Sequence, residues 1–177
     1  MNLPGIIALF ASKLVEHLIQ KRRELEKIIE RHIIEGLLKD LEEIKKVSKE
    51  EPISFSTYLR LRITLRDVSE KITLICSKVN WRKILEMIFM ETEFRKMKLD
   101  ANAAIALIGS KILDDIIKRL SDESLFLSRR YLLEDIDFLK NSISKSSSPQ
   151  EVKNTIINNL QNIENDIKGR INIIEKK

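Results

Sequence analysis

The sequence predicts an all-α protein, in which an elongated antiparallel helical hairpin is extended into a bundle of about six helices. The first reason is composition: the 177-residue chain has four glycines, three prolines and 5% aromatic residues, and its apolar residues are mostly Ile and Leu. The second is that apolar residues recur every three or four positions, which is the period of a half-buried helix. The third is that runs of alternating β-type residues are missing.

The first predicted helix runs from about residue 3 to residue 49. An apolar stripe continues along its length, and Gly36 is the only helix breaker before Pro52. One glycine costs about 1 kcal/mol inside a helix, so we expect an unbroken helix and an elongated molecule. The stripe consists of Leu3, Ile7, Phe10, Leu14, Leu18, Leu25, Ile29, Ile33, Leu37, Leu41 and Ile44.

The second predicted helix, within residues 54–83, is the element around which the bundle is organised. It follows a turn at Pro52, and its apolar residues are separated by alternating spacings of three and four. Such a 3.5-residue period predicts a continuous seam along one side of a helix. We therefore expect it to pair in antiparallel orientation with the first helix. The seam consists of Leu61, Leu65, Val68, Ile72, Ile75 and Val79.

Capping residues place the next three helices. Asn80, Asp100 and Ser121 belong to the residue types that accept hydrogen bonds at helix N-termini. The stretch 101–110 carries no charge and is rich in small residues. Small residues allow helices to approach closely, so we expect this stretch to be the most buried helix or a contact between subunits. The predicted interface residues are Ala101, Ala104, Ile105 and Ile108.

A serine-rich stretch separates the predicted bundle from the last helix. Residues 141–148 form the only low-complexity segment and are typical of a linker. We therefore predict a helical bundle over 1–140, a linker over 141–148 and a C-terminal helix over 149–177. Ser148 and Glu151 have the spacing of a capping box, with Pro149 at the first helical position. The expected buried stripe of this helix is Val152, Ile156, Leu160, Ile163, Ile167, Ile171 and Ile174.

The composition argues against several kinds of chemistry. Phosphate-binding glycine loops and nucleophile motifs are missing, and the four glycines are isolated. One cysteine and two histidines are too few for a typical zinc site, so we expect His17 and His32 to be partly exposed helix residues. We predict no metal, no cofactor and no small-molecule substrate.

The chain also lacks the signals of a membrane-spanning or secreted protein. No apolar run approaches the roughly 20 residues that span a bilayer, and the N-terminus lacks the basic start of a signal peptide. The single cysteine, Cys76, cannot form an internal disulfide, which favours a reducing compartment. We therefore expect a cytoplasmic protein.

Positive charge is concentrated on the second predicted helix. Its lysines and arginines are opposed only by Asp67 and Glu70, so this stretch accounts for the whole net charge of +5. One interpretation is pairing with glutamates of the first helix, and the other is a surface for an external polyanion. The glutamates are Glu24, Glu26, Glu30, Glu35, Glu42 and Glu43. The candidate polyanion-binding residues are Arg60, Arg62, Arg66, Lys71, Lys78, Arg82 and Lys83. The neighbouring aromatic residues Phe55, Tyr58 and Trp81 are too few to predict base stacking.

The predicted function is non-catalytic: a helical interaction or assembly protein that binds a protein partner or self-associates, with nucleic acid as a candidate partner of the basic helix. The alternative is a membrane-surface protein that uses its amphipathic N-terminal helix, which ends in a basic cluster. The apolar stripe of that helix continues into the main seam, so packing within the bundle is favoured.

A third hypothesis is a magnesium-dependent enzyme that uses pairs of carboxylates on helices. Charged residues make up 33% of the chain, so such pairs arise freely and solvated surface is the favoured interpretation. The pairs are Asp40 with Glu43, Asp114 with Asp115, and Glu134 with Asp137.

Overall fold

The computed structural model describes residues 5–75, 78 and 99–177, and over these residues the protein is helical with no strand. The all-α prediction is confirmed. An isolated bridge between Ile53 and Leu120 is the one extended pairing in the described part of the chain. The helices are α1 (Ile6–Gln20), α2 (Arg22–Leu25), α3 (Arg31–Val47), α4 (Phe55–Leu74), α5 (Ala101–Arg119), α6 (Asp122–Ser144) and α7 (Gln150–Glu175).

The chain divides into two compact units. The first comprises Met1–Lys49 and Arg60–Met97, and the second comprises Glu50–Leu59 and Lys98–Lys177. The division therefore falls within the predicted bundle and not at the serine-rich stretch. The last helix belongs to the second unit, where it packs against both α5 and α6.

In the first unit, the expected unbroken helix over 3–49 is wrong. The chain leaves the helical conformation after Leu25 and resumes it at Arg31, so that α1 packs back against α3. An unbroken helix would leave much of its apolar stripe without a partner within its own chain, whereas the turn lets the two halves cover each other. The large apolar side chains that are buried are Ile7, Phe10, Leu14 and Leu18 of α1 and Ile34, Leu37, Leu41 and Ile44 of α3.

Helix α4 pairs with α3 in the predicted antiparallel orientation. Arg60 contacts Glu43, and Lys71, further along α4, contacts Asp40, which lies earlier in α3. The residue number therefore increases along α4 while that of its partner decreases along α3, so the two helices are antiparallel. The predicted seam is buried at Leu61, Val68, Ile72 and Ile75 and partly exposed at Leu65. Val79 and the predicted cap Asn80 lie outside the described residues.

In the second unit, α5 is the helix most enclosed by others. It packs against α6 and α7, and more than half of its side chains are buried. The predicted burial of 101–110 is confirmed, because Ala104 and Ile108 are buried and only Ala101 and Ile105 of the predicted interface set remain partly exposed. Helices of the same chain provide this cover. Contact between subunits stays a prediction.

Side chains from distant parts of the sequence bind both ends of α5. At its start, the predicted cap Asp100 accepts a hydrogen bond from the Ala103 N–H at 2.9 Å. Its carboxylate also accepts from the Ser146 hydroxyl at 2.8 Å and from the Ser147 N–H at 2.7 Å. At the other end, the Arg170 guanidinium donates to the carbonyl oxygens of Ile117 at 2.7 Å and Leu120 at 3.3 Å. Helix α7 therefore runs parallel to α5.

The connection between α6 and α7 is shorter than the predicted serine-rich linker over 141–148. The first four residues of the predicted linker, from Asn141 to Ser144, form the last turn of α6. The predicted capping box is also wrong, because Pro149 occupies the N-cap position of α7 without a side-chain hydrogen bond. The Ser148 hydroxyl accepts a hydrogen bond from the Asp100 N–H at 3.2 Å instead. The cap at Ser121 is confirmed, since its hydroxyl accepts from the Ser124 N–H.

Candidate anion-binding surfaces

Arg60, the first of the sequence-predicted binding residues, lies on the α3–α4 surface. Its guanidinium contacts the Glu43 carboxylate at 2.5 Å, and the side chains are 61% and 42% exposed. The other five glutamates considered as partners contact basic residues of α1 to α3 or of the turns between them. Glu24 contacts Lys21, Glu26 contacts Arg22 and Arg31, Glu30 contacts His32, Glu35 contacts Arg22 and Arg31, and Glu42 contacts Lys45. Of the two interpretations of the basic helix, pairing with glutamates of the first predicted helix therefore applies to Arg60, whose partner is Glu43.

Lys71 lies between two carboxylates and is only 24% exposed. Its Nζ atom is 3.1 Å from Asp40 Oδ2 and 2.8 Å from Asp67 Oδ2. Gly36 provides the space, because a Cβ atom there would lie 3.0 Å from the Lys71 Nζ. Burial alone would lower the pKa of Lys71, but the hydrogen bonds to the two carboxylates outweigh it and raise the pKa. This lysine is therefore committed to the packing of α3 against α4.

The remaining predicted cations are distributed unevenly. Arg62 and Arg66 are partly exposed and each has an interaction partner, while Lys78 is exposed. Arg82 and Lys83 lie outside the described residues. Arg60 and Lys78 are therefore the most accessible members of the set within the described part of the chain.

The aromatic residues next to this surface are engaged in packing. Tyr58 is buried, and its hydroxyl donates a hydrogen bond to Asp135 Oδ2. The Phe55 ring packs against Tyr131 with a centroid separation of 6.2 Å. Trp81 lies outside the described residues. Tyr58 is therefore part of the core of the second unit and does not offer a surface on which bases could stack.

The amphipathic N-terminal helix is packed within the first unit. The apolar stripe of α1, which the membrane hypothesis would place in a lipid interface, is buried, with α3 packed against the helix. The expectation that it packs inside the protein is confirmed. His17, which we expected to be partly exposed, is buried because it lies beside Leu14 and Leu18 on this side of α1. Helices long and apolar enough to cross a membrane do not occur in the described part of the chain.

The carboxylate pairs of the magnesium hypothesis mostly contact neighbouring cations. Asp114 and Asp115 pair with Lys118 and Arg119, one turn further along α5. Glu134 and Asp137 are exposed on α6, and Asp40 and Glu43 contact Lys71 and Arg60. Within residues 5–75, 78 and 99–177, no group of three or more His, Cys, Asp or Glu side chains is arranged to hold a metal ion.

A surface that the sequence did not predict lies between α6 and α7. It is an open groove of about 590 Å³, lined by Arg129, Arg130 and Leu133 of α6 and by Lys168, Ile171, Asn172 and Glu175 of α7. The Arg129 Nη1 donates to the carbonyl oxygen of Phe126 at 2.7 Å, and its guanidinium carbon lies 4.1 Å from the centre of the Phe126 ring. Of the charged residues that line the groove, Arg129, Arg130 and Lys168 are positive and Glu175 is negative.

Lys168 of this groove contacts a carboxylate that has further partners. Glu164 contacts Lys140 and Lys168, both at 3.6 Å, and accepts a hydrogen bond from Gln161 at 2.9 Å. Burial would raise the pKa of Glu164, but the Gln161 amide and the two lysines outweigh it and lower the pKa. Glu164 therefore stays ionised and holds Lys168 at the edge of the groove.

The apolar floor of the groove corrects the predicted stripe of the last helix. The stripe is buried from Val152 to Ile167, but Ile171 and Ile174 are partly exposed. Helix α5 ends at Arg119, close to Arg170 of α7, so the last turn of α7 extends past its neighbour. The doublet Arg129–Arg130 was the only sequence signal, and a doublet alone does not indicate which helix lies opposite.

Comparison of the chain with protein-family models, with curated proteins and with solved structures finds no match.

Proposed function

We propose that this protein is a non-catalytic helical interaction protein that associates with a polyanion, with nucleic acid as the candidate, through the basic surface of its first unit. The observation that carries the proposal is the distribution of charge. Over the bounds of the two units, lysines and arginines outnumber carboxylates in the first unit and do not in the second. An excess of one sign on one unit attracts a polyanion at long range.

The contacts of Arg60 are compatible with this function. Its ion pair with Glu43 is exposed on both sides, and such pairs contribute only about 0–1 kcal/mol to folding. A phosphate group can therefore replace the Glu43 carboxylate at low cost. Lys71 does not belong to the proposed surface, because it is held between Asp40 and Asp67.

The proposal is tested by fluorescence anisotropy with labelled DNA and RNA at two salt concentrations. The test variant carries Arg60→Gln, Arg62→Gln and Arg66→Gln. The expected result is weaker binding for all nucleic-acid sequences alike, with the slope of log K against log salt reduced by about one for each lost phosphate contact. The matched control carries Lys118→Gln, Lys145→Gln and Lys153→Gln in the second unit, which removes the same charge and is expected to leave binding unchanged.

Two outcomes would contradict the proposal. One is that wild-type protein binds neither DNA nor RNA at low salt. The other is that the triple α4 variant unfolds more easily while its binding is unchanged, which would assign the three arginines to pairing with carboxylates of the same chain. Thermal unfolding of each variant, recorded beside the anisotropy, separates these results.

A further inference from the structure

We propose that the groove between α6 and α7 is a docking site for an acidic, amphipathic segment of a partner protein. The groove is the open site lined by Arg129, Arg130, Leu133, Lys168, Ile171, Asn172 and Glu175. It belongs to the second unit, and it is independent of the basic surface on α4. The inference therefore adds a partner of a different chemical class to the proposed function.

The cations of the groove are suited to receive carboxylates. Arg129 is held in place by the Phe126 carbonyl oxygen and by the Phe126 ring, so less side-chain entropy is lost when it binds an anion. Arg130 makes no ion pair with any other described residue and is exposed. Lys168 is exposed as well, although it contacts Glu164. An occupant that brings carboxylates would complete the charge balance of this surface.

The floor of the groove favours an occupant that also brings an aliphatic side chain. Leu133 and Ile171 are partly exposed there, because α5 ends before the last turn of α7 and leaves Ile171 without that neighbour. Covering such side chains removes apolar surface from water, which is favourable. The described lining of the groove contains no aromatic ring on which a nucleic-acid base could stack. The floor therefore discriminates between an amphipathic peptide and a nucleic acid.

The shape of the groove fits a chain segment better than a small molecule. Its lining residues cover about one turn of α6 and about two turns of α7, so the groove runs along the two helices. Helical partners dock their apolar face into grooves of this kind through side chains at i, i+3 and i+4. Glu175 contributes the one acidic group of the lining, and Lys168 already contacts Glu164.

The test uses a fluorescein-labelled synthetic peptide whose helical form carries glutamates on one face and leucines on the adjacent face. Two matched peptides replace the glutamates with glutamine or the leucines with serine. The expected result is that full-length protein binds the first peptide and binds each of the matched peptides with an affinity at least about tenfold lower. Binding is measured by anisotropy at low salt.

Variants then locate the site. Arg130→Gln with Lys168→Gln is expected to weaken binding about tenfold, and Ile171→Ser is expected to weaken it independently of charge. The matched control, Lys145→Gln with Lys153→Gln, removes the same charge elsewhere in the second unit and should bind like the wild type. The triple α4 variant should also bind the peptide normally, so failure of the nucleic-acid proposal would not affect this result.

Three results would overturn the inference: no binding of the first peptide to the wild-type protein, equal weakening in the groove and control variants, or equal binding of the glutamine peptide. A fourth result would also overturn the inference: DNA displaces the peptide, and the double substitution Arg130→Gln with Lys168→Gln weakens the binding of that DNA. This result would assign the groove to nucleic acid.

Discussion

Gly109 of α5 lies so close to Leu139 of α6 that the leucine occupies the space of a side chain. A Cβ atom on Gly109 would lie 2.5 Å from Leu139 Cδ2, which is closer than carbon atoms pack. The two helices therefore pack closely at this position because the residue is glycine. The small residues of the 101–110 stretch thus serve the close helix approach that the sequence predicts.

Gly109→Ala is expected to destabilise the protein by up to about 2 kcal/mol. The new methyl group overpacks the interface with Leu139, which costs about 1–3 kcal/mol, and the gain in helix propensity of about 1 kcal/mol offsets only part of it. The control is Gly169→Ala in α7, where nothing lies within 4 Å of the new Cβ, so this variant should be stabilised by about 0.5–1 kcal/mol. Urea denaturation measures both, and a gain in stability for Gly109→Ala would contradict the packing at Leu139.

Ile72→Ala is expected to cost about 2–5 kcal/mol, because a buried isoleucine loses its apolar contacts and leaves a cavity. Ile72 is 2% exposed on the seam of α4, whereas Ile63 on the same helix is 68% exposed. Ile63→Ala therefore serves as the matched control and should change stability by no more than about 0.5 kcal/mol. Equal effects of the two substitutions in thermal unfolding would show that the seam is not the buried side of α4.

Asp100→Asn is expected to lower stability at neutral pH by about 1–2 kcal/mol, because an amide NH₂ group cannot accept the hydrogen bonds that one carboxylate oxygen accepts from Ser147. Burial alone would raise the pKa of Asp100, but the hydrogen bonds from Ala103, Ser146 and Ser147 outweigh it and hold the pKa below the ordinary value of 3.8. A carboxyl whose pKa is lowered on folding stabilises the protein above pH 3.8, and this contribution is lost as the pH falls through the folded pKa.

The measurement for Asp100→Asn is stability as a function of pH from neutral to acid. The wild type should lose stability as the pH falls below the ordinary carboxyl pKa, and the variant should lose less over the same interval because its contribution is already missing. Asp137→Asn, at an exposed position of α6, is the control and should follow the wild-type curve. Identical acid limbs for Asp100→Asn and wild type would refute the role of this carboxylate.

Lys71→Met is expected to destabilise the protein by about 1–2 kcal/mol at neutral pH, because it leaves Asp40 and Asp67 without the cation between them. Burial and the hydrogen bond with Asp67 raise the pKa of Asp40 against the opposing effect of Lys71. Because the pKa of Asp40 is higher in the folded protein than in the unfolded chain, ionisation of Asp40 lowers the stability as the pH rises through its folded pKa. Adding Asp40→Asn to Lys71→Met should therefore restore part of the loss in a double-mutant cycle.

The control for the Lys71 cycle is Lys118→Met. The Lys118 ammonium also contacts an aspartate, Asp114 at 2.9 Å, but its side chain is highly exposed. Exposed pairs one helical turn apart contribute about 0.3–0.5 kcal/mol, so this variant should be nearly neutral. If Lys71→Met is equally neutral, the α3–α4 contact does not depend on the lysine.

The sequence predicted those parts of the fold that depend on helical periodicity. The seam of α4, the caps Asp100 and Ser121, and the antiparallel pairing with α3 follow from spacings and residue types that act locally. The break between α2 and α3 could not be predicted in this way, because no glycine or proline marks it. It depends on the burial that α1 and α3 gain when they pack against each other, which is a tertiary effect.

The sites were less predictable because they depend on which residues meet. Ser148 has the residue type and spacing of a cap, yet its hydroxyl accepts from the Asp100 N–H, far away in sequence. Gly36 lies within a helix, as expected, but the space that it leaves for the Lys71 ammonium could not be predicted. The groove beside Arg130 depends on how far α7 extends past the end of α5, and the sequence of either helix alone does not contain that relationship.

The hydrogen bonds at the two ends of α5 have a consequence for local opening of the backbone. Helix ends usually fray because their first N–H groups and last C=O groups lack partners. In α5, the Asp100 carboxylate and the Arg170 guanidinium attach these ends to the 146–147 segment and to α7. The hydrogen-bonded amides in the first and last turns of α5 should therefore exchange with deuterium more slowly than those in the last turn of α7, which extends past α5.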